Sequence, residues 1–319
     1  MKDIVVGIDI GATNTAIGVV DHDGNCISST NIKTTGHKQP TDYVTATATA
    51  ITALIAIHPE FLLKGIGLGA PNGNYYSGTV ENAPNLEWKG IIPFAKMFRE
   101  RFSVPAVLTN DANAAAIGEM IFGGAKTMKN FIEITLGTGV GSGIVVNGEV
   151  LYGHDGFAGE IGHTIFDPNG RDCGCGRKGC LETYASAGGI KRTVFELIGQ
   201  TNLPTVFRNQ SFNEVTAEAI AKAASAGDPI ALQAFEITGR ILGIKLADAV
   251  AHTSPEAIFL FGGLAKAGKL IFEPTHRHME ANMLNIFKDK VKLLPSGLPD
   301  ENVAILGSAA LIWKELDKK

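Results

Sequence analysis

Asp9-Ile10-Gly11-Ala12-Thr13-Asn14 and Leu136-Gly137-Thr138-Gly139-Val140-Gly141-Ser142-Gly143 are the two stretches that decide the fold. Each sits at the end of an apolar, β-branched run, Asp3 to Ile10 in one case and Phe131 to Leu136 in the other. Each leads into a second run, Thr15 to Val20 or Ile144 to Val146. An Asx-Gly turn comes next, Asp23-Gly24 or Asn147-Gly148, and then a third strand, Cys26 to Lys33 or Glu149 to Tyr152. An Asx-Gly pair between such runs is the strongest short-range hairpin signal. The pattern of strand, glycine turn, strand, Asx-Gly turn, strand therefore occurs twice, as an internal duplication would leave it.

Turns of this composition expose backbone N–H groups and a hydroxyl in a concave nest, which suits phosphate oxygens. Gly11, Thr13 and Asn14 are the nucleotide-binding candidates in the first copy, and Gly137, Thr138 and Gly139 in the second. Neither turn has the lysine-bearing P-loop spacing or a clean Gly-x-Gly-x-x-Gly before a helix, which argues against P-loop and dinucleotide-binding folds. Asp9, at the exit of its strand, is placed either to hold Mg²⁺ through water or simply to cap the turn. A third glycine pair, Gly262-Gly263, ends the buried strand Ala257 to Phe261. Two phosphate loops from duplicated halves plus this third pair describe the actin and hexokinase architecture. That is an α/β, two-lobed, ribonuclease H-like fold with a cleft between the lobes.

The remaining elements fill in around these. Tyr43 to Ile57 and Pro93 to Phe102 read as helices and Lys64 to Leu68 as a buried strand. The strand Ala106 to Thr109 delivers Asn110-Asp111 to an alanine-rich helix, Ala112 to Phe122. Further helices are expected over Gly188 to Ile198, Glu214 to Ala224, Pro229 to His252 and Lys266 to Met283, with Pro274 breaking the last. Val303 to Leu306 and Gly307 to Leu316 are expected to close the chain as strand and helix. The expected small lobe is 1–111 plus 303–319, and the large lobe is 112–302 with an insertion at 160–182.

That insertion reads Gly162-His163-Thr164-Ile165-Phe166-Asp167-Pro168-Asn169-Gly170-Arg171-Asp172-Cys173-Gly174-Cys175-Gly176-Arg177-Lys178-Gly179-Cys180-Leu181-Glu182. His163, Cys173, Cys175 and Cys180 are a full ligand set for one tetrahedral zinc. A disulfide would leave one cysteine over, and Cys173 and Cys175 are too close to bridge without strain. Four protein ligands leave no open position, so the metal is expected to be structural. Cys26, far upstream, reads as an ordinary packed thiol.

Composition narrows the class. At 319 residues the chain is long for one core, so two domains are expected. The net charge of -4 offers no broad basic field for nucleic acid. No apolar run approaches membrane-spanning length. With no signal peptide before Met1, a cytoplasmic, reducing compartment is expected.

Taken with these motifs, the chain resembles the ROK (repressor, open reading frame, kinase) family of bacterial sugar kinases and sugar-responsive repressors. The matching pieces are Asp9 to Thr15, Asn110-Asp111-Ala112-Asn113-Ala114-Ala115, Leu136 to Gly143, Glu160-Ile161-Gly162-His163, the Cys173 to Glu182 block and Gly262-Gly263. The resemblance implies an ATP-dependent hexose kinase, glucokinase-like, acting as a homodimer or higher oligomer. N-acetylmannosamine, N-acetylglucosamine and fructose are the alternative substrates. A sugar-sensing repressor would need a helix-turn-helix before the first phosphate strand, which here starts at Asp3; a non-catalytic sugar-binding protein would be expected to lose Asp111 or a glycine loop.

Asp111 is the candidate general base for the sugar hydroxyl. By itself an Asn-Asp pair at a helix start favours a cap, and the neighbouring motifs turn the reading to the base. The helix dipole is expected to favour its ionised form. If Glu160 and His163 share one helical turn, Glu160 can accept from a sugar hydroxyl while His163 ligates zinc through one nitrogen and donates from the other. Glu182 is a further acceptor or else a solvated loop acid. Asn85 and Asn110 complete the expected sugar contacts, and Trp88 is expected to pack rather than stack on ligand. The family pattern has Pro-Gly where this chain reads Pro71-Asn72-Gly73, so the sugar contacts of that loop do not carry over.

Overall fold

The computed structural model describes residues 2–298 and 303–318. The chain runs β1 Lys2–Ile10, β2 Asn14–Val20, β3 Cys26–Lys33, α1 Pro40–Ala56, β4 Phe61–Ala70, β5 Gly73–Asn74, β6 Thr79–Glu81, β7 Ile91–Ile92, α2 Phe94–Phe102, β8 Ala106–Asn110 and α3 Asp111–Ile121. It continues with β9 Phe131–Leu136, β10 Val140–Val146, β11 Glu149–Val150, α4 Glu182–Ala185, α5 Ala187–Gln200, α6 Ala217–Ser225, α7 Pro229–Thr253, β12 Ala257–Phe261, α8 Lys269–Asn282, β13 Lys292–Pro295 and α9 Val303–Asp317. These form two compact units. The first is Met1–Lys129, Gly143–Gly159 and Gly297–Lys319, and the second is Asn130–Ser142 and Glu160–Ser296. Residue 302, where the sequence reading put a lobe boundary, lies outside the described residues.

The duplication is visible in the sheets. One has the order β3-β2-β1-β4-β8 and the other β11-β10-β9-β12-β13. In the first, β1 pairs antiparallel with β2 and parallel with β4, and β4 runs parallel to β8. In the second, β9 runs parallel to β12 and β12 to β13, while β10 and β11 form an antiparallel hairpin. Parallel strands need apolar residues on both faces, and the centres of β1, β4 and β9 are buried accordingly. In the first unit β1, β2, β4 and β8 pack against α1 and α2 through Ile8, Ile17, Tyr43, Ile51, Leu68, Trp88, Phe94 and Phe98. Trp88 is buried there beside Tyr43 and Phe94 and donates through Nε1 to the His37 carbonyl at 2.8 Å, so it is a packing residue.

The short strands β5, β6, β7 and β13 are additions to the sequence reading, and three further elements depart from it. Val303 to Leu306 is not a strand but the first turn of α9, which is a single helix. So short an apolar run has no period to separate helix from strand. What decides it is tertiary: α9 lies directly on the sheet, and a Cβ at Gly7 or Gly67 would run into the carbonyls of Ile305 and Ser308. Pro274 sits inside α8 without ending it. Its ring packs against Gly239 of α7, and burial in that helix pair offsets the one backbone bond that proline cannot make. Finally, β10 starts at Val140, so the second glycine turn is only Gly137 to Gly139.

Candidate functional site

In open parallel sheets, ligands gather at the carboxyl ends of the strands. In the first unit, that edge carries Asp9 near the end of β1 and Asn110 at the end of β8. The register links them through β4, with Asp9 opposite Gly69 and Ala70 opposite Asn110.

Asn110 is the N-cap of α3: its Oδ1 accepts from Ala112 N at 2.8 Å and from Asn113 N at 3.4 Å. The choice between cap and base is thereby divided between two residues. Asp111 shares the Ala112 N–H through Oδ1 at 2.9 Å, and no ion pair reaches it among the described residues. The residue as a whole is exposed at the start of the helix, although protein atoms crowd its carboxyl group. Burial of the carboxyl among protein atoms raises its pKa, against the lowering by the Ala112 N–H. The sequence reading expected the helix dipole to favour the ionised form, and desolvation outweighs it. Asp9 is raised to about 7, first by burial and then by the charge of Asp111.

The turn after β1 is closed by Gly11 N donating to the Asn14 carbonyl at 3.1 Å. Thr34 N ties Thr13 down at 2.9 Å, and the hydroxyl of Thr15 bonds both Thr34 and Tyr43 at 2.8 Å beneath it. Lys33 was missed in the sequence reading. It lies opposite Asn14 in the β2–β3 register and its Nζ donates to Asn14 Oδ1 at 3.0 Å, bringing a cation to this turn. Extending the hairpin register from Asp23-Gly24 would have found it. Asn85 is exposed on a loop that Lys89 ties down through the carbonyls of Ala83, Pro84 and Leu86.

In the second unit the corresponding edge is formed by β9 and β12. Leu136 leads into Gly137, whose N–H bonds the Gly139 carbonyl at 3.0 Å. Phe261 leads into Gly262 at φ 98°, a conformation that glycine adopts without cost. A side chain there would also press on the Leu136 carbonyl, so Gly262-Gly263 and the turn at Gly137 to Gly139 meet at this edge.

The zinc candidates converge. His163 Nδ1 and the sulfurs of Cys173, Cys175 and Cys180 all lie within 4.8 Å of one another. Cys175 and Cys180 are 3.6 Å apart, and Cys173 is 3.7 Å from His163 Nδ1. A tetrahedron with Zn–S bonds of about 2.3 Å has edges of roughly 3.8 Å, so the residues fit that ion. Hydrogen bonds from Arg177 and the other two thiols outweigh burial at Cys175 and lower it to about 6, while burial and its neighbours push Cys180 up to about 12. Three thiolates this close need a cation to coexist.

Glu160 is the exposed N-cap of a single 3₁₀ turn, Ile161–His163, so it and His163 do share one turn. With Nδ1 facing the cysteines, His163 keeps Nε2 for another partner. Glu182 is half-buried at the start of α4, not a free loop acid. Its Oε2 accepts from Val140 N at 3.0 Å and its Oε1 lies 3.8 Å from Cys173 Sγ. One carboxylate thus joins the metal loop to the glycine turn. Arg171 fixes the same loop from its other side, bonding the carbonyls of Thr183 and Gly189 and the side chain of Glu196.

The sequence matches the ROK family profile over residues 5–315, and the chain belongs to the ROK family. It is 36% identical over 315 residues to a glucokinase of Halalkalibacterium halodurans, covering 97% of this chain and 95% of that one. A ROK family glucokinase of Streptomyces griseus, solved in complex with glucose and AMPPNP, superposes with a TM-score of 0.81 at 31% identity, covering 97% of this chain and 98% of that one. A ROK family transcriptional regulator, a homologue of the E. coli MLC protein, superposes with a TM-score of 0.88 at 27% identity, over 99% of this chain and 79% of that one. The fold is thus the two-lobed actin/hexokinase-like one. Among the described residues no helix is long and apolar enough to cross a membrane.

Proposed function

We propose that this protein transfers the γ-phosphoryl group of ATP to the 6-hydroxyl of glucose, with Asp111 as the general base. The observation that carries the assignment is the start of α3, where Asn110 does the capping and Asp111, with a raised pKa, has no cation partner among the described residues. A base with its pKa moved toward neutrality is a better proton acceptor than an ordinary carboxylate. The O6–H proton passes to Asp111 as O6 bonds the γ-phosphorus, and the bond to the β–γ bridging oxygen breaks to release ADP. The glucokinase relatives and the glucose-bound Streptomyces griseus structure support glucose as the sugar.

Asn85, Asn110, Glu160, His163 and Glu182 take the sugar hydroxyls in this reading. Gly11, Thr13, Asn14, Gly137, Thr138, Gly139, Gly262 and Gly263 receive the nucleotide. Asp9 would hold Mg²⁺ through water, and the mutual repulsion of Asp9 and Asp111 fits a dication at that edge. Bound with the nucleotide, Mg²⁺ neutralises phosphate charge. His163, Cys173, Cys175 and Cys180 would hold zinc, which ties the loop and does no chemistry. The protein works in the cytoplasm, where thiols stay reduced. It acts as a homodimer or higher oligomer, supported by the exposed Leu232, Leu284 and Ile286 of the second unit; light scattering reads that state.

The test is ADP release over glucose, fructose, N-acetylglucosamine and N-acetylmannosamine. Glucose should give the highest kcat/KM, because a site that pairs with a hydroxyl discriminates strongly against its replacement. Preference for an acetamido sugar would sink the glucokinase assignment and leave the kinase mechanism intact. No ADP release with any hexose would overturn both.

A further inference from the structure

The residues after β4 depart from the family pattern, and the structure shows what they build. Asn72 adopts φ 51°. Its Nδ2 donates to the Glu81 carbonyl at 3.0 Å while its own carbonyl accepts from Glu81 N at 3.1 Å. This turn sets Gly73–Asn74 as a short strand against β6, Gly73 opposite Val80 and Asn74 opposite Thr79.

Asn74 is buried, and every polar atom of its amide group is used. Oδ1 accepts from Tyr76 N at 3.0 Å and Ser77 N at 3.4 Å, and Nδ2 donates to the carbonyl of Asp155 at 2.8 Å. Tyr76 donates its hydroxyl to the Gly153 carbonyl at 2.9 Å. Tyr75 stacks on Tyr152 with ring centroids 4.1 Å apart and planes 1° from parallel, its own hydroxyl held by Glu315 at 2.7 Å. Gly156, at φ 91°, lies so close that a Cβ there would sit 2.5 Å from Asn74 Oδ1. Three consecutive side chains thus clasp the segment from Tyr152 to Gly156, which is irregular backbone with few bonds of its own. That segment is the last of the first unit before the chain crosses at Gly159/Glu160.

We infer that Asn74 and Tyr76 are positioning residues for the sugar: by holding the carbonyls of Asp155 and Gly153 they fix the segment that delivers Glu160. The inference rests on the role given to Glu160 above. Loop backbone tied down by only a few bonds otherwise opens readily, and an acceptor carried on it would then pay an ordering cost when the sugar binds.

The experiment uses the full chain with Asn74→Ala, which removes the whole clasp amide, and Tyr76→Phe, which removes one hydroxyl and keeps the ring. Hydrogen–deuterium exchange is followed over residues 152–162, alongside kinetics with glucose and ATP. Exchange in this segment should be faster in both variants. The KM for glucose should rise about tenfold in Asn74→Ala and roughly threefold in Tyr76→Phe, in line with the bonds lost. The KM for ATP should stay within about twofold, since the nucleotide turns are untouched. Unchanged exchange over 152–162 in a folded Asn74→Ala overturns the inference, as does a KM for ATP that rises with that for glucose. If wild-type protein phosphorylates no sugar, it is the proposed function that fails, and exchange alone decides whether the clasp exists.

Discussion

The two sheets share a strand order and differ at one edge. In the first unit the penultimate residue of the central strand is Asp9, and in the second it is Thr135; both are half-buried. The strand beside β1 leads to a third that ends in Asn110-Asp111, whereas the strand beside β9 ends in Gly262-Gly263. One edge therefore carries Asp9 and Asp111, two carboxylates with raised pKa values, and the other carries glycine turns and the exposed Thr138, with Glu182 held on Val140 N beside them. The duplicated scaffold presents the carboxyl ends of parallel strands, where ligands gather, twice, and the side chains there differ. In the reading proposed above, proton transfer and Mg²⁺ binding fall to the first edge. In the same reading the glycine turns of the second edge share the nucleotide with the turn from Gly11 to Asn14 of the first.

The largest effect expected on the second edge comes from the metal loop, because Glu182 links it to the Val140 N–H. Cys175→Ser should lower zinc from about one per chain to a small fraction and remove activity, since the glycine turn loses its anchor. Metal analysis by plasma mass spectrometry beside the ADP assay reads both. Active, freshly purified wild-type protein that carries no zinc would break the link between loop and turn.

On the acidic edge the pH profile comes next. kcat/KM reports groups of the free enzyme, and Asp9 titrates at about 7. Activity should therefore fall as pH drops below neutrality, and in Asp9→Asn that limb should shift or disappear. A wild-type profile flat down into the ordinary carboxylate range would contradict the crowding of the two acids.

The smallest effect is on stability, and its sign is specific. Burial and the charge of Asp111 raise Asp9 from the ordinary 3.8 to about 7, so the folded state binds more protons between those limits. Stability then declines as pH rises from about 4 to about 7 and stays reduced above it. Asp9→Asn should raise the melting temperature by several degrees at pH 8 and change it little near pH 4. A shift of equal size at both pH values would argue that Asp9 acts by shape and not by charge.

Much of this was legible in residues whose meaning is local. Asx-Gly turns marked both hairpins, four ligands lay within one short insertion, and Asn110-Asp111 stood at the mouth of an alanine-rich helix. What escaped depends on tertiary partners. Gly73–Asn74 is too short to have a propensity and becomes a strand only by pairing with β6. Val303 to Leu306 becomes helix because Gly7 and Gly67 make room for it. The raised pKa values of Asp9 and Asp111 come first from burial, and for Asp9 also from the charge of Asp111, which the fold brings near although the two residues are far apart in the chain.

The account rests most directly on Asp111, so the decisive measurement is turnover of Asp111→Asn with glucose binding followed by calorimetry on the same sample. Turnover should fall by roughly 10² or more, as for loss of a general base, while the Kd for glucose stays within a few-fold of wild type. Near-normal turnover in the folded variant would reduce Asp111 to a helix-start residue and remove the asymmetry between the two edges.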